Sequence, residues 1–69
     1  MNLNHIKVKE LMEEYANGNY NRFARMMSLD PAHLHKFITT GAGGGKKVVM
    51  SVMKLCKDRN LDINEYIEL

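Results

Sequence analysis

Three breaks divide this chain of 69 residues into short segments and so exclude a long continuous element. At Asn17-Gly18-Asn19, the first two residues favour the left-handed backbone that ends a helix, and the third can cap another helix. Asp30-Pro31 is a strong helix start, because the carboxylate caps well and proline suits the first helical position. The segment from Thr40 to Gly45 has four glycines in six residues, which predicts a flexible loop or a wide turn.

Between these breaks, apolar residues recur mostly at three- and four-residue spacings, the period of an amphipathic helix. The expected helices are Leu3 to Ala16, about Tyr20 to Met27, Pro31 to about Thr39, and a fourth that begins near Lys46 and ends at Asn60. The apolar positions of the first are Leu3, Ile6, Val8, Leu11, Met12 and Tyr15. Beyond Asn60, the pattern leaves open a short fifth helix capped by Asp62 or an extended segment. We therefore expect an all-α fold, a compact bundle of four or five helices without a substantial sheet.

The length gives room for one domain, residues 1–69, because an independent core usually takes on the order of 100 residues. With 45% apolar and 26% charged residues, the composition is typical of a globular protein. No apolar run approaches the roughly 18 residues of a membrane span, and the N-terminal residues lack the apolar stretch of a secretion signal. A cytoplasmic protein without a membrane partner is expected. The single cysteine, Cys56, cannot form an internal disulfide, which leaves packing or a partner subunit to stabilise the fold.

The segment around the second break combines two short helices with a connection of about three residues, as a helix-turn-helix motif requires. The small Ala24 would let the helices approach closely, and Leu29 would fill the turn. Leu34 and Phe37 would anchor the third helix on the core. The residues left facing outward are then Ala32, His33, His35, Lys36 and Thr40.

The stretch from Asn19 to Ile38 resembles the helix-turn-helix of the phage repressor and Cro-like family, also called the xenobiotic-response-element type. The resemblance covers about a third of the chain, and the helices before and after it also sit where that family has them. At the position of Ser28, the family usually has a glycine. The resemblance implies a lambda-repressor-like fold with the motif at helices two and three. It also implies a sequence-specific regulator of transcription that binds duplex DNA as a homodimer.

Carried over by position, the resemblance implies that Tyr20 bonds a phosphate and that Asp30 caps a recognition helix over about residues 31–39, lying in the major groove. It places Ala32, His33 and Lys36 at base edges, where lysine favours guanine acceptors and an alanine methyl can contact a thymine methyl. The further candidates for contact with the DNA backbone are Asn21, Arg22, His35, Thr39, Thr40, Lys46 and Lys47. The last two suit phosphate, because two cations and helix-end N–H groups would converge there.

Other chemistries find little support in the residues. His33 and His35 lie two apart on a helix, where their side chains diverge by roughly 200°, so no metal site is expected. The glycine segment departs from the phosphate-binding loop, which wants a serine or threonine where this chain has Lys47. No nucleophile, histidine and carboxylate can be assembled at catalytic spacing, so we expect neither an enzyme nor a cofactor. Cys56 lies on an apolar stripe and is expected to be a packed thiol.

Two plainer interpretations remain beside DNA binding. The net charge of +2 is only mildly basic, so the lysines of the fourth helix could be a solvated face and the glycine segment a plain connector. The rival function is a helical protein-interaction module, or a detached domain of a larger regulator or inhibitor, that uses an exposed methionine and tyrosine surface. The methionines that could fill either the core or a dimer interface are Met26, Met27, Met50 and Met53.

Overall fold

Four α-helices form most of the computed structural model, which describes residues 2–68. The elements in chain order are β1 (Asn2–Leu3), α1 (His5–Ala16), α2 (Tyr20–Met27), α3 (Pro31–Thr40), α4 (Lys46–Asp58), a 3₁₀ helix (Ile63–Tyr66) and β2 (Ile67–Glu68). The prediction of a mostly helical fold with four principal helices is confirmed. None of the helices within residues 2–68 is long and apolar enough to cross a membrane.

The first helix begins two residues later than the apolar spacing predicts. The Asn4 side-chain oxygen accepts the N–H groups of Ile6 and Lys7 at 3.1 and 3.2 Å, so Asn4 is the cap of α1. Leu3, predicted as the first helical residue, belongs instead to β1. Ile6 was also placed wrongly on the apolar stripe, because its side chain is 64% exposed.

The C-terminal segment combines both of the predicted alternatives. The Asp62 side chain accepts the N–H of Asn64 at 2.9 Å and starts a single 3₁₀ turn, after which the chain becomes extended. β2 pairs antiparallel with β1, with Leu3 opposite Ile67, and the Asn4 N–H donates to the Tyr66 carbonyl at 2.8 Å. This small sheet joins the two ends of the described chain beside α1.

The core receives side chains from all four α-helices. The nine largest fully buried side chains are Phe23, Phe37, Leu11, Met12, Leu34, Val8, Val48, Val52 and Cys56. Among the described residues, no buried side-chain nitrogen or oxygen lacks a hydrogen-bond partner. Cys56 is 2% exposed and packs as expected from its place on the stripe of α4. The outward faces of α2, α3 and α4 are thereby left to polar groups and methionines.

Candidate nucleic-acid interface

The connection between α2 and α3 is three residues long and is fixed from both sides. Ser28 ends α2 in the left-handed conformation, with φ 55° and ψ 42°. The N–H of Leu29 then donates to the Ala24 carbonyl at 2.8 Å, which closes the helix end. On the other side, the Asp30 carboxylate accepts the Ala32 N–H at 3.0 Å and caps α3 as predicted. The direction of α3 relative to α2 is therefore set by local hydrogen bonds.

The packing between α2 and α3 follows the predicted pattern. Ala24 is fully buried, so it presents only a methyl group where the helices meet. Leu29 is 7% exposed and fills the turn, while Leu34 and Phe37 are buried on the inner side of α3. These buried residues determine which side of α3 remains at the surface.

The outer side of α3 carries all of the predicted α3 contact residues, and each is exposed: Ala32, His33, His35, Lys36, Thr39 and Thr40. Within residues 2–68, the ion pair found is Lys7 with Glu10, so the Lys36 ammonium has no described carboxylate partner. The Thr39 and Thr40 hydroxyls donate to the carbonyls of His35 and Lys36, at 2.8 and 2.7 Å. Both hydroxyl protons are used within the helix, and the Thr40 oxygen also accepts the Ala42 N–H at 3.1 Å.

Tyr20, the first residue of α2, contacts this face directly. Its ring lies against the His35 ring, with centroids 4.8 Å apart and planes inclined at 56°. Asn21 and Arg22 follow it in the first turn of α2 and are exposed. Of the candidate phosphate contacts of α2, the structure thus brings Tyr20 beside the outer face of α3.

The glycine segment between α3 and α4 is packed against aromatic rings. Gly41 lies under the His5 ring, Gly43 under the His33 ring and Gly44 against Phe37. At Gly44, an added Cβ would lie 2.6 Å from a Phe37 ring carbon, so only glycine fits there. These contacts support the wide-turn alternative over a plain flexible connector.

Two histidines form hydrogen bonds to backbone carbonyls, His33 to the turn and His5 to the last part of α3. The His33 Nε2 lies 2.7 Å from the Gly43 carbonyl oxygen, and the His5 Nδ1 lies 2.8 Å from the Ile38 carbonyl oxygen. Because a carbonyl only accepts, each of these nitrogens carries a proton in the contact. His33 was predicted as a base-contacting residue, and the structure shows that one of its two ring nitrogens is already engaged.

His5 is a residue that the sequence reasoning missed. Its ring also meets Phe37 edge to face, with centroids 6.3 Å apart. The hydrogen bond of His5 spans 33 residues of sequence, and no local pattern signals it. The nearest hint is its position at the start of α1, directly after the cap.

Lys46 and Lys47 are the first two residues of α4, and both are exposed. Gly45 precedes them as the N-cap and supplies no side-chain hydrogen bond, so the first N–H groups of α4 have no side-chain cap. The prediction that two cations and helix-end N–H groups lie together is consistent with this arrangement.

A second surface lies between α2 and α4 and is mainly apolar. Met26, Met50 and Met53 are 37%, 59% and 46% exposed, whereas Met27 is buried. We call Met26 and Met50 the methionine surface, because Met53 lines a separate hollow beside Leu61 and Ile63. An open groove of about 480 Å³ reaches from Met26 and Met50 to Lys47, Lys54 and Asp58 at its edges.

Two further features of residues 2–68 are the placement of the metal-binding side chains and two groups with raised pKa values. No three histidine, cysteine or acidic side chains are grouped there to hold a metal ion. Burial raises the pKa of the Cys56 thiol, and the Asp62 and Glu65 carboxylates raise it further. Burial likewise raises the pKa of Tyr66, which keeps both groups protonated at neutral pH.

Comparisons with known families, curated proteins and solved structures find no match to this chain. The function is therefore inferred from the chemistry of the exposed face of α3 and of the residues beside it.

Proposed function

We propose that this protein binds duplex DNA as a sequence-specific transcriptional regulator of the phage repressor or Cro type, with α2 and α3 as a helix-turn-helix. The observation that carries the proposal is the outer face of α3. This face, on a helix capped by Asp30, presents a lysine, two histidines and two threonines but no carboxylate. Such a face suits the major groove, where base edges offer acceptors and phosphates flank them.

Lys36 and Ala32 are the proposed contacts to bases. The Lys36 ammonium has three donors for the guanine O6 and N7 acceptors, and the Ala32 methyl can meet a thymine methyl. His33 lies on the same face, but its Nε2 donates to Gly43, which leaves one ring nitrogen for DNA. Lys36 therefore contributes most of the proposed discrimination.

The contacts to phosphate are proposed on both sides of α3. Tyr20, Asn21 and Arg22 approach one strand from the start of α2, while Lys46 and Lys47 approach from the start of α4. The α3 residues proposed for the backbone are His35, Thr39 and Thr40, and each threonine hydroxyl would turn from its helix carbonyl to donate to a phosphate oxygen. Such contacts provide affinity and orientation that depend on salt but carry no sequence information themselves.

We further propose that two copies bind a two-fold DNA site. One α3 of ten residues reaches only a few base pairs. Two copies on a two-fold site contact twice as many base pairs, which increases the specificity. The methionine surface offers apolar area for contact between copies, since Met50 is more than half exposed. Sedimentation with and without DNA tests this step.

Selection from a random duplex pool at moderate salt tests the proposed function as a whole. The expected outcome is an enriched motif with two-fold symmetry, bound more tightly than unselected duplexes. Equal binding to all duplexes at every salt concentration contradicts the proposal. A failure to bind any duplex contradicts it as well.

The second candidate function is a protein-interaction module, and the methionine surface is what favours it. Lys47 and Lys54 border the groove, so a protein partner there would present an apolar helix face flanked by carboxylates. A designed helix with leucines at i, i+3 and i+7 between glutamates is a suitable probe. Tight binding of this probe by a monomer that selects no DNA motif would favour the second function.

A further inference from the structure

The turn between α3 and α4 has five residues, four of them glycine, yet aromatic rings contact three of those glycines. Glycine segments have the largest freedom of backbone conformation, so a single geometry requires contacts from outside the segment. Phe37 and His5 meet the turn near its two ends from the core and from α1. From the exposed face of α3, the Thr40 hydroxyl oxygen accepts the Ala42 N–H at 3.1 Å, and His33 reaches the middle of the turn at Gly43.

The His33 contact is a hydrogen bond with a defined direction. Its Nε2–H donates to the Gly43 carbonyl at 2.7 Å, across ten residues of sequence, and a Cβ added at Gly43 would lie 3.0 Å from the same nitrogen. Gly43 has φ 78°, a conformation that few other residues adopt without strain. The bond therefore ties the helix that carries Lys36 to a backbone atom only three residues before Lys46.

We propose that His33 is a positioning residue that fixes Lys46 and Lys47 relative to α3, rather than a base-contacting residue. The proposal rests on the DNA-binding function proposed above. When the turn is held, the two lysines and the first N–H groups of α4 meet phosphate in a preset place. When it is released, the lysines remain charged but must be ordered at binding, which weakens every complex alike.

The test compares His33→Leu with His33→Gln, because the Gln amide nitrogen can occupy the place of Nε2 and donate to Gly43. Amide relaxation of residues 42–47 is first measured by NMR on the free protein. We expect larger fast motion in His33→Leu and parent-like values in His33→Gln. Circular dichroism verifies that both variants keep the fold, which is expected because His33 is exposed.

DNA binding supplies the second readout. His33→Leu should lower affinity for all duplexes by about tenfold, because the lysines must be ordered at binding, while the salt slope and base preference stay close to the parent's and His33→Gln restores the affinity. In the His33→Leu background, Lys46→Ala should cost less than it does in the parent.

The outcomes separate this inference from the proposed function. Unchanged turn motion in His33→Leu overturns the positioning role, whether or not the parent binds DNA. Relaxed preference at one base pair also overturns it and makes His33 a base-contacting residue. Failure of the parent to bind duplex DNA contradicts the proposed function and leaves the NMR result to decide whether His33 orders the turn.

Discussion

The ring of Tyr20 in α2 rests against the ring of His35 in α3, with centroids 4.8 Å apart. This contact holds the Tyr20 hydroxyl beside the outer face of α3. Tyr20→Phe keeps the ring and removes only the hydroxyl, so the free energy of unfolding should change by less than about 0.5 kcal/mol. Affinity for DNA should fall by roughly 1.5 kcal/mol, because a hydrogen bond to a charged phosphate is lost.

Denaturation and mobility shift measure these two quantities on the same preparation. Tyr15→Phe is the matched control, because Tyr15 lies in α1 with the Arg59 guanidinium 5.1 Å over its ring. The control should bind DNA like the parent. Equal DNA affinity of Tyr20→Phe and the parent would remove Tyr20 from the interface.

Ser28→Gly should stabilise the protein. A left-handed residue other than glycine costs roughly 1–2 kcal/mol, and Ser28 has φ 55°. Glycine relieves this cost, but it also raises the entropy of the unfolded chain, which destabilises the fold by about 0.4–1 kcal/mol. A net gain in stability of about 0.5–1 kcal/mol is therefore expected. Urea denaturation provides the measurement.

Ser51→Gly is the matched control, because Ser51 lies inside α4 with ordinary helical backbone. The same change should there cost about 0.5 kcal/mol, because serine lies between alanine and glycine in helix propensity. Loss of stability in both variants would mean that the backbone at Ser28 carries no such strain.

The salt dependence of DNA binding should identify the phosphate contacts of α4. Lys46→Ala and Lys47→Ala should each weaken binding to all sequences about equally and flatten the salt slope by roughly one unit. Lys57→Ala is the control, since it lies about 16 Å farther along the helix axis at 1.5 Å per residue. If the salt slopes of Lys46→Ala and Lys47→Ala equal those of Lys57→Ala and the parent, Lys46 and Lys47 are merely solvated.

Stability should fall in alkaline solution because of two groups, Cys56 in α4 and Tyr66 at the end of the 3₁₀ helix. The pKa values of Cys56 and Tyr66 are raised above their ordinary 9.0 and 10.0, first by burial. Above about pH 9, the unfolded chain releases protons that the folded chain retains, so unfolding becomes easier as pH rises. Below pH 9 this stabilisation is fully present.

Cys56→Ala tests the thiol's share of this effect. The variant loses packing at every pH, but its free energy of unfolding should fall less than the parent's between pH 8 and pH 10. Urea denaturation at the two pH values is the measurement. Parallel losses in parent and variant would exclude the thiol as a source of the pH dependence.

The elements that could be predicted from sequence depend on local signals. Asn19 and Asp30 cap α2 and α3 because their side chains accept N–H groups two or three residues ahead, a contact set by spacing alone. Asn4 caps α1 by the same rule, but the apolar spacing extends back to Leu3 and predicts an earlier start of the helix. A stronger local signal, the cap, overrode the weaker periodic one.

Contacts between distant residues were beyond such reasoning. The pairing of Leu3 with Ile67 joins opposite ends of the chain, and two residues per strand leave no alternating pattern to recognise. The hydrogen bonds of His5 and His33 reach backbone carbonyls, which every residue offers, so side-chain types gave no indication of the partner. The exposure of the outer face of α3 was predictable, because Leu34 and Phe37 fix the inner side.

The central claim, that α3 contacts bases, is tested most directly by the binding of Lys36→Ala to the selected site and to its single-base variants. The account predicts a loss of roughly 1–3 kcal/mol on the preferred site and relaxed discrimination at one base pair in each half-site, with the fold unchanged. Lys57→Ala, measured beside it, should match the parent. If Lys36→Ala stays folded and binds the selected site as tightly and as selectively as the parent, α3 is not the element that contacts bases.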